Sequence, residues 1–184
     1  MSKIGNKPID ITGVQVEVKG NDVHFKGKNH SGSCVLPAFL SARVEGNKLF
    51  VRPVEGQRWE RKDWGLHRAL LANAIKGAAK DFEENVEITG LGFKVQVSGK
   101  NMVFSLGYTH KITMELPATV KLNVDKTGQK LTFTSFDREK LGQVCALIRA
   151  MRPTEPYKAT GIKLAGETII RKAGKAKAGA AGAA

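Results

Sequence analysis

The 184-residue chain has few of the features on which secreted, metal-binding and membrane-spanning proteins depend. Its two cysteines, Cys34 and Cys145, lie far apart and form no C-x-x-C pair, which excludes a zinc knuckle or a dithiol redox motif. Both have apolar neighbours, so we expect two reduced, buried thiols in a cytoplasmic protein. The chain has no run of about 18 apolar residues, and residues 1–5 lead into no apolar stretch. We therefore expect neither a membrane span nor a signal peptide.

Acidic residues are scarce relative to basic ones. Thirty Lys and Arg stand against 17 Asp and Glu, which gives a net charge of +13 and an isoelectric point near 9.9. Such a chain attracts polyanions directly and through the release of their counterions, so nucleic acid is the first candidate partner. An anionic membrane surface and a basic protein without a partner are the alternatives. Residues 149–184 have eight basic residues against two acidic ones, which makes this segment the main positive region.

The chain contains an internal repeat with a period of about 80 residues. Residues 13–20 (GVQVEVKG) resemble residues 92–99 (GFKVQVSG), and residues 65–71 (GLHRALL) resemble residues 142–148 (GQVCALI). Leu36-Pro37-Ala38 and Leu116-Pro117-Ala118 lie between these pairs in the same order. We therefore predict a duplicated domain, with the join near residues 82–84.

Each copy changes from a two-residue to a 3.6-residue hydrophobic period. Residues 14–18 and 93–97 alternate and precede a Gly-containing turn and a second apolar stretch, which predicts a hairpin in each copy. Asp137 is a predicted N-cap and Pro153 a predicted end for the second helix. Further short strands are predicted near residues 33–36, 49–52, 111–116, 121–124 and 131–134. The predicted helical stripes are His67, Leu71, Ile75, Ala78 and Phe82 in the first copy, and Leu141, Val144, Cys145 and Ile148 in the second.

These patterns predict an α+β fold with two duplicated domains, each a small antiparallel sheet with one covering helix, followed by an extended basic C-terminal segment. The predicted boundaries are residues 1–82 and 83–153 for the two repeats. Residues 154–172 are predicted to be an extended RNA-contacting segment, and residues 173–184 a disordered tail of Ala, Gly and Lys. Residues 2–8 and the segment after Pro153 are predicted to lie outside the core.

The sequence contains no recognisable catalytic or cofactor-binding constellation. Gly90-Leu91-Gly92 lacks the third glycine and the helix of a dinucleotide loop, which indicates a turn before a strand. Phe93-Lys94-Val95 suits either a base-stacking strand or a core strand, and the alternation favours the core. Asp63 and His67 are one helical turn apart without a third ligand or a nucleophile. We therefore expect no enzyme, no cofactor, no metal site and no small-molecule substrate.

The C-terminal segment combines cations, prolines and an aromatic residue. Residues 149–158 read RAMRPTEPYK, and residues 171–177 read RKAGKAK. The prolines hold the backbone away from helix, and Tyr157 offers a ring for stacking. An extended basic strand of this kind can lie along the phosphates of an RNA surface. The alternative is a tail that only increases solubility.

The same residues carry a resemblance to a known family. The chain resembles the bacterial ribosomal L-six family, the sixth protein of the large subunit, from its start to about Lys177. The resemblance rests on residues 2–9 (SKIGNKPI), 65–71 (GLHRALL), 90–94 (GLGFK), 106–110 (LGYTH), 148–149 (IR), 152–153 (RP), 155–158 (EPYK), 161–162 (GI) and 171–175 (RKAGK).

The resemblance implies a structural constituent of the large ribosomal subunit in the cytoplasm, away from membranes. It implies binding to 23S rRNA, mainly through the second domain and the C-terminal segment, near the stalk base, the translation-factor site and neighbouring large-subunit proteins. The predicted rRNA-binding residues are Lys94, Arg149, Arg152, Tyr157, Lys158, Lys163, Arg171, Lys172, Lys175 and Lys177.

The sequence departs from the family pattern in two places. The family's usual Gly-Lys-Gly after Tyr-Lys is Ala159-Thr160-Gly161 here, which leaves one cation and one glycine fewer. The usual Gly-Pro-x-Gly turn of the first domain reads GKNHSG at residues 27–32. Two rival hypotheses are an RNA-modifying enzyme, which would need a cofactor loop or an acid–base cluster, and an RNA chaperone or membrane-surface protein that is abundant off the ribosome.

Overall fold

The computed structural model describes residues 2–28, 30–54, 56 and 61–175. It divides into two compact units. The first contains Met1–Glu83 and Thr134–Leu141, and the second contains Glu84–Phe133 and Gly142–Ala184. The chain therefore passes between the units more than once, and residues 134–141 belong with the N-terminal part.

The N-terminal part of the chain forms two small antiparallel sheets and a helix. The sheet orders are β2-β3-β4 and β1-β6-β5. Helix α1 contacts β3, β4 and β6, so it covers both sheets. The elements are β1 (Ile9–Asp10), β2 (Gln15–Lys19), β3 (Asp22–Lys26), β4 (Ser31–Val35), β5 (Leu40–Glu45), β6 (Lys48–Pro53) and α1 (Arg61–Ala79).

The same order of elements recurs in the second half. One sheet has the order β10-β9-β8, and the other has the order β11-β12-β7-β13. The elements are β7 (Phe82–Thr89), β8 (Lys94–Ser98), β9 (Asn101–Ser105), β10 (Ile112–Glu115), β11 (Lys121–Val124), β12 (Lys130–Ser135), α2 (Arg138–Met151) and β13 (Gly161–Leu164).

The two halves share one topology, which confirms the predicted α+β fold of two duplicated domains. The order β5-β6-β1 in the first half corresponds to β11-β12-β7 in the second, where β13 is added at the free edge of β7. Each half divides its strands between two small sheets, which was not predicted. It arises because β1, β5 and β7, which were not predicted, pair with predicted strands.

Glycine-led turns close the equivalent hairpins. Lys19 pairs with Asp22 and Ser98 pairs with Asn101, so each loop has two residues between its strands. The first loop residue is Gly20 (φ 63°) or Gly99 (φ 62°), while the second has no positive φ. This combination is typical of type II′ turns, whose twist matches that of antiparallel strands.

The helices bury the stripes that their periodicity indicates, with two corrections in α1. Leu71, Ile75 and Ala78 are buried as predicted, but His67 is only half-buried. Phe82 is not on the helix, because α1 ends at Ala79 and Phe82 begins strand β7. Trp64 is also buried on this helix, although it was not predicted to be. Its Nε1 donates a hydrogen bond to the Val51 carbonyl at 2.8 Å.

Helix α2 follows its prediction closely. Its stripe of Leu141, Val144, Cys145 and Ile148 is buried. The Asp137 carboxylate accepts hydrogen bonds from the backbone N–H of Glu139 at 3.0 Å and, more weakly, of Lys140 at 3.4 Å. This is the capping geometry that satisfies the free N–H groups of a first helical turn.

The prediction that residues 2–8 lie outside the core is wrong at Gly5. Gly5 is buried, and a Cβ placed there would lie 2.5 Å from the Trp64 ring. The Arg68 guanidinium also donates to the carbonyls of Lys7 (3.1 Å) and Pro8 (2.8 Å). The N-terminal segment is therefore fastened to α1 through its backbone, which a reading of side-chain polarity does not detect.

Candidate nucleic-acid interface

A tight turn presents Tyr157 and Lys158 at the surface. The Glu155 N–H donates to the Thr160 carbonyl at 2.9 Å, and the Ala159 N–H donates to the Glu155 carbonyl at 2.9 Å. The Thr160 hydroxyl also donates to the Glu155 carboxylate at 3.3 Å. These bonds close the turn at its base, so the exposed Tyr157 and Lys158 project from a fixed backbone.

Ala159 has φ 56°, and it is the single non-glycine residue with a positive φ in the described part of the chain. L-residues with a Cβ are strained in this left-handed region. Ala159 stands at the position where the resemblance described above implies the first glycine of Gly-Lys-Gly. The turn is therefore built with the alanine, so the departure from the family pattern does not prevent it.

The segment after the turn corrects the prediction that the chain after Pro153 lies outside the core. Residues 161–164 form β13, which pairs antiparallel with β7 from Gly161–Thr89 to Leu164–Val86. Ile162 is fully buried. A Cβ at Gly161 would lie 2.7 Å from the Pro153 carbonyl oxygen, so the chain passes close to itself here. Strand β13 forms because β7 offers an unpaired edge.

The chain then returns to the turn. The backbone N–H of Lys172 donates to the carbonyl of Pro156 at 3.0 Å. This bond brings Arg171 and Lys172 beside Tyr157 and Lys158, and all four side chains are exposed. We call Tyr157, Lys158, Arg171 and Lys172 the C-terminal basic surface. Two separate stretches of sequence meet in it.

Three predicted cations are engaged within the protein. Arg149 forms a salt bridge and hydrogen bond with Glu167. Lys163 Nζ lies 2.9 Å from the Glu87 carboxylate across the β7–β13 pair, and this contact lowers the pKa of Glu87. Arg152 donates from Nη1 to the Leu106 carbonyl at 2.8 Å. These groups contribute to the local field, but their geometry is set by internal partners.

The other predicted cations in the described residues have no internal partner among those residues. The side chains of Lys94, Lys158, Arg171, Lys172 and Lys175 are exposed and make no hydrogen bond or ion pair with a described residue. Lys94 lies on β8, paired in register with Ser105, and is the one that lies outside the C-terminal segment. Lys177 and residues 176–184 of the predicted tail lie outside the described residues.

The loop between β9 and β10, which was not among the predicted binding residues, holds two exposed rings. Tyr108 and His110 are stacked, with their centroids 5.9 Å apart and their planes inclined by 17°. The guanidinium of Arg152 lies 4.9 Å from the Tyr108 ring centroid and 5.0 Å from that of Phe93. Phe93 itself is buried, as the core interpretation of its strand predicts. The sequence feature that could have indicated these rings is the stretch LGYTH at residues 106–110, in which a tyrosine and a histidine follow a glycine.

The cysteines differ from each other. Cys145 is buried, and burial, with a smaller contribution from the Glu84 charge, raises the pKa of its thiol to about 11. Cys34 is only half-buried, which corrects the prediction of two buried thiols, and burial raises its pKa as well. A raised pKa keeps a thiol protonated and poorly nucleophilic at neutral pH.

The described residues include no group of three or more His, Cys, Asp or Glu side chains arranged to hold a metal ion. His67 lies edge-on to Phe39, with ring centroids 6.4 Å apart. Neither helix in the described part of the chain is long and apolar enough to cross a bilayer.

A family model of ribosomal protein L6 matches residues 12–80 and 89–164, one stretch in each half. The chain belongs to this family. The large ribosomal subunit protein uL6 of Maridesulfovibrio salexigens is 43% identical over 95% of this chain and 98% of its own length. The proteins of the same name from Beijerinckia indica and Helicobacter hepaticus are each 39% identical, over 96% and 95% of this chain and over 100% and 98% of their own lengths.

Membership settles the class of protein. The ribosomal protein L6 family is structural and non-enzymatic, so the expectation that this chain is not an enzyme is confirmed by its family. The second matched stretch extends to residue 164 and therefore includes β13. Strand β13, which was not predicted, therefore lies within the part of the chain that the family model matches.

Proposed function

We propose that this protein is a structural constituent of the large ribosomal subunit that binds 23S rRNA, mainly through its second domain and C-terminal segment. The position we propose is near the stalk base and the translation-factor site, beside other large-subunit proteins, in the cytoplasm. The relatives named as large-subunit proteins support the assembly, and the net charge of +13 supports a polyanionic partner.

The observation that carries the RNA-binding part is the bond from the Lys172 N–H to the Pro156 carbonyl. It collects the cations of the C-terminal basic surface around Tyr157 without an acidic side chain among the four residues. Exposed cations on a fixed backbone neutralise phosphates with little loss of backbone entropy, and the exposed tyrosine ring adds a stacking face. Lys94, Lys175 and Lys177 extend the proposed contact. Arg149, Arg152 and Lys163 are proposed to act from their internally paired positions.

The first test is sedimentation of a lysate through a sucrose gradient with a high-salt wash. We expect the protein to travel with large subunits and to resist moderate salt. If it stays at the top of the gradient, the ribosomal assignment fails and the chaperone hypothesis takes its place.

The second test measures 23S rRNA affinity against salt for the variant Lys158→Ala/Arg171→Ala/Lys172→Ala. Each lost phosphate contact removes about 0.7–0.9 from the slope of log K against log salt, so the slope should fall by about 2–3. The matched control is Lys100→Ala/Lys121→Ala/Lys126→Ala, which removes three exposed charges elsewhere in the second repeat. An equal loss in both variants would mean that only net charge matters, and no loss in either would assign the binding to another surface.

A further inference from the structure

The β9–β10 loop holds the most exposed pair of rings in contact in the described structure. Tyr108 is 44% exposed, and Thr109 and His110 are exposed as well. The planes of the Tyr108 and His110 rings are inclined by only 17°. Two flat, nearly parallel rings at the surface form a platform that solvent covers incompletely, because water cannot satisfy the faces of aromatic rings.

Contacts with neighbouring residues fix the position of the Tyr108 ring. The Tyr108 hydroxyl donates to the Met151 carbonyl at 3.1 Å, at the end of α2. The Arg152 guanidinium lies against both Tyr108 and the buried Phe93, and is itself held by the Leu106 carbonyl. The loop is therefore fixed before any ligand arrives, which reduces the entropy lost on binding.

Gly107 permits this close arrangement. Its φ is 77°, and a Cβ there would lie 2.8 Å from the Phe93 ring. Glycine adopts this positive φ without strain, and the absence of a side chain lets the backbone pass close to the Phe93 ring. Gly107 therefore allows the loop to lie directly against the buried Phe93, with the Tyr108 and His110 rings at the surface.

The chemistry around the platform selects its occupant. Residues 106–111 (LGYTHK) contain no acidic residue, and Lys111 follows His110 directly. Arg152 leads through Pro153 and Thr154 to the turn of the C-terminal basic surface, so the platform and that surface are continuous along the chain. Flat rings beside cations suit a nucleobase, whose face stacks while its phosphate meets the charge.

We infer that Tyr108 and His110 take an unpaired nucleobase of the RNA that this protein binds. This inference rests on the proposed function. The base has to be unpaired, because a base within a duplex is already stacked on both faces and its rings are inaccessible. The loop reads one splayed nucleotide, whereas the C-terminal basic surface holds the backbone.

The test compares the wild-type protein with His110→Ala and His110→Phe in binding to full-length 23S rRNA, with chemical probing at single-nucleotide resolution. We expect His110→Ala to weaken binding about tenfold and to re-expose one base that the wild type protects. His110→Phe keeps a flat ring and should retain both affinity and protection. The salt slope should stay unchanged in both variants, because stacking releases no counterion.

The control is His24→Ala, which removes an exposed histidine from β3 in the other repeat and should leave affinity unchanged. Thermal unfolding of the His110 variants should match the wild type, since this ring is exposed. Unchanged affinity and protection in His110→Ala would overturn the inference while leaving the proposed function intact. Crosslinking from position 110 to a protein in the subunit would also overturn it. If the wild type does not bind the RNA at all, the proposed function itself fails.

Discussion

The two repeats contain equivalent loops whose aromatic rings differ in their contacts and exposure. The β3–β4 loop begins at Gly27, whereas the β9–β10 loop begins at Leu106 and has Gly107 as its second residue. Each of these glycines is followed three residues later by a histidine. In the first loop the His30 ring stacks on Phe136, with centroids 3.6 Å apart. In the second loop His110 stacks on Tyr108, and both rings are exposed.

The difference lies in what each loop meets. Phe136 is in the 134–141 stretch that belongs to the first compact unit, so the face of His30 is covered within that unit. No described residue covers His110 in this way apart from Tyr108, its neighbour in the loop. The two repeats thus contain equivalent loops in different surroundings. The histidine of the first loop packs within its unit, whereas the histidine of the second loop stays exposed and accessible to a ligand.

The two glycines differ as well. Gly27 has no positive φ, but a Cβ there would lie 2.1 Å from the Ala78 carbonyl oxygen at the end of α1. Gly107 has φ 77° and approaches a side chain, the Phe93 ring, rather than backbone. Position 27 requires glycine because there is no space for a Cβ. Position 107 requires glycine mainly because of its positive φ.

The largest effect that we predict is in the first loop. Gly27→Ala should destabilise the protein by about 2–3 kcal/mol, the upper part of the range for overpacking, because backbone atoms of α1 cannot rotate away from the new methyl group. Urea unfolding followed by circular dichroism measures the change. Gly142→Ala in α2 is the control: its Cβ meets nothing within 4 Å, and it should be neutral or slightly stabilising. Equal stabilities for Gly27→Ala and wild type would mean that this loop is not packed on the helix.

The second prediction separates the two reasons for glycine. Gly107→Ala should cost about 1–2 kcal/mol, because an alanine is strained at positive φ. Gly107→Asn should cost less than Gly107→Ala although it is larger, since asparagine tolerates the left-handed region. At position 27 the order should reverse, with Gly27→Asn less stable than Gly27→Ala. The same order at both positions in unfolding experiments would show that one steric mechanism acts in both loops.

The sequence predicted those parts of the fold in which local signals agree. The hairpins of both repeats have alternating apolar residues and a glycine at the turn, and α2 has both its stripe and its Asp137 cap. Strand β7 was missed because Glu83, Glu84 and Asn85 interrupt its alternation. Strand β13 has four residues and exists because the edge of β7 is free, which is a long-range pairing without a local pattern.

The candidate interface was predictable in its chemistry but not in its geometry. Composition shows that the C-terminal segment is rich in cations, but it does not show which of them have an internal partner. Glu87 is distant in sequence from Lys163, and only the β7–β13 pairing brings them together. Tyr108 and His110 were overlooked because two rings in a short polar loop have no distinctive spacing.

The smallest effect that we predict tests this distinction between paired and free cations. Lys163→Met should lower stability at neutral pH by about 0.5 kcal/mol, since the Lys163–Glu87 pair is partly exposed and such pairs contribute little. The pair lowers the pKa of Glu87 in the folded state, so its contribution is present above the unfolded pKa and is lost as pH falls through the folded pKa. The stabilities of wild type and Lys163→Met should therefore converge as pH falls from 7 to about 3.

The control is Lys158→Met, which removes an exposed cation without a described partner. It should leave stability unchanged at every pH but reduce the salt slope of rRNA binding by about 0.8. If Lys163→Met reduced that slope as much as Lys158→Met and left the stability unchanged, the ion pair would be open in solution, and Lys163 would belong with the free cations.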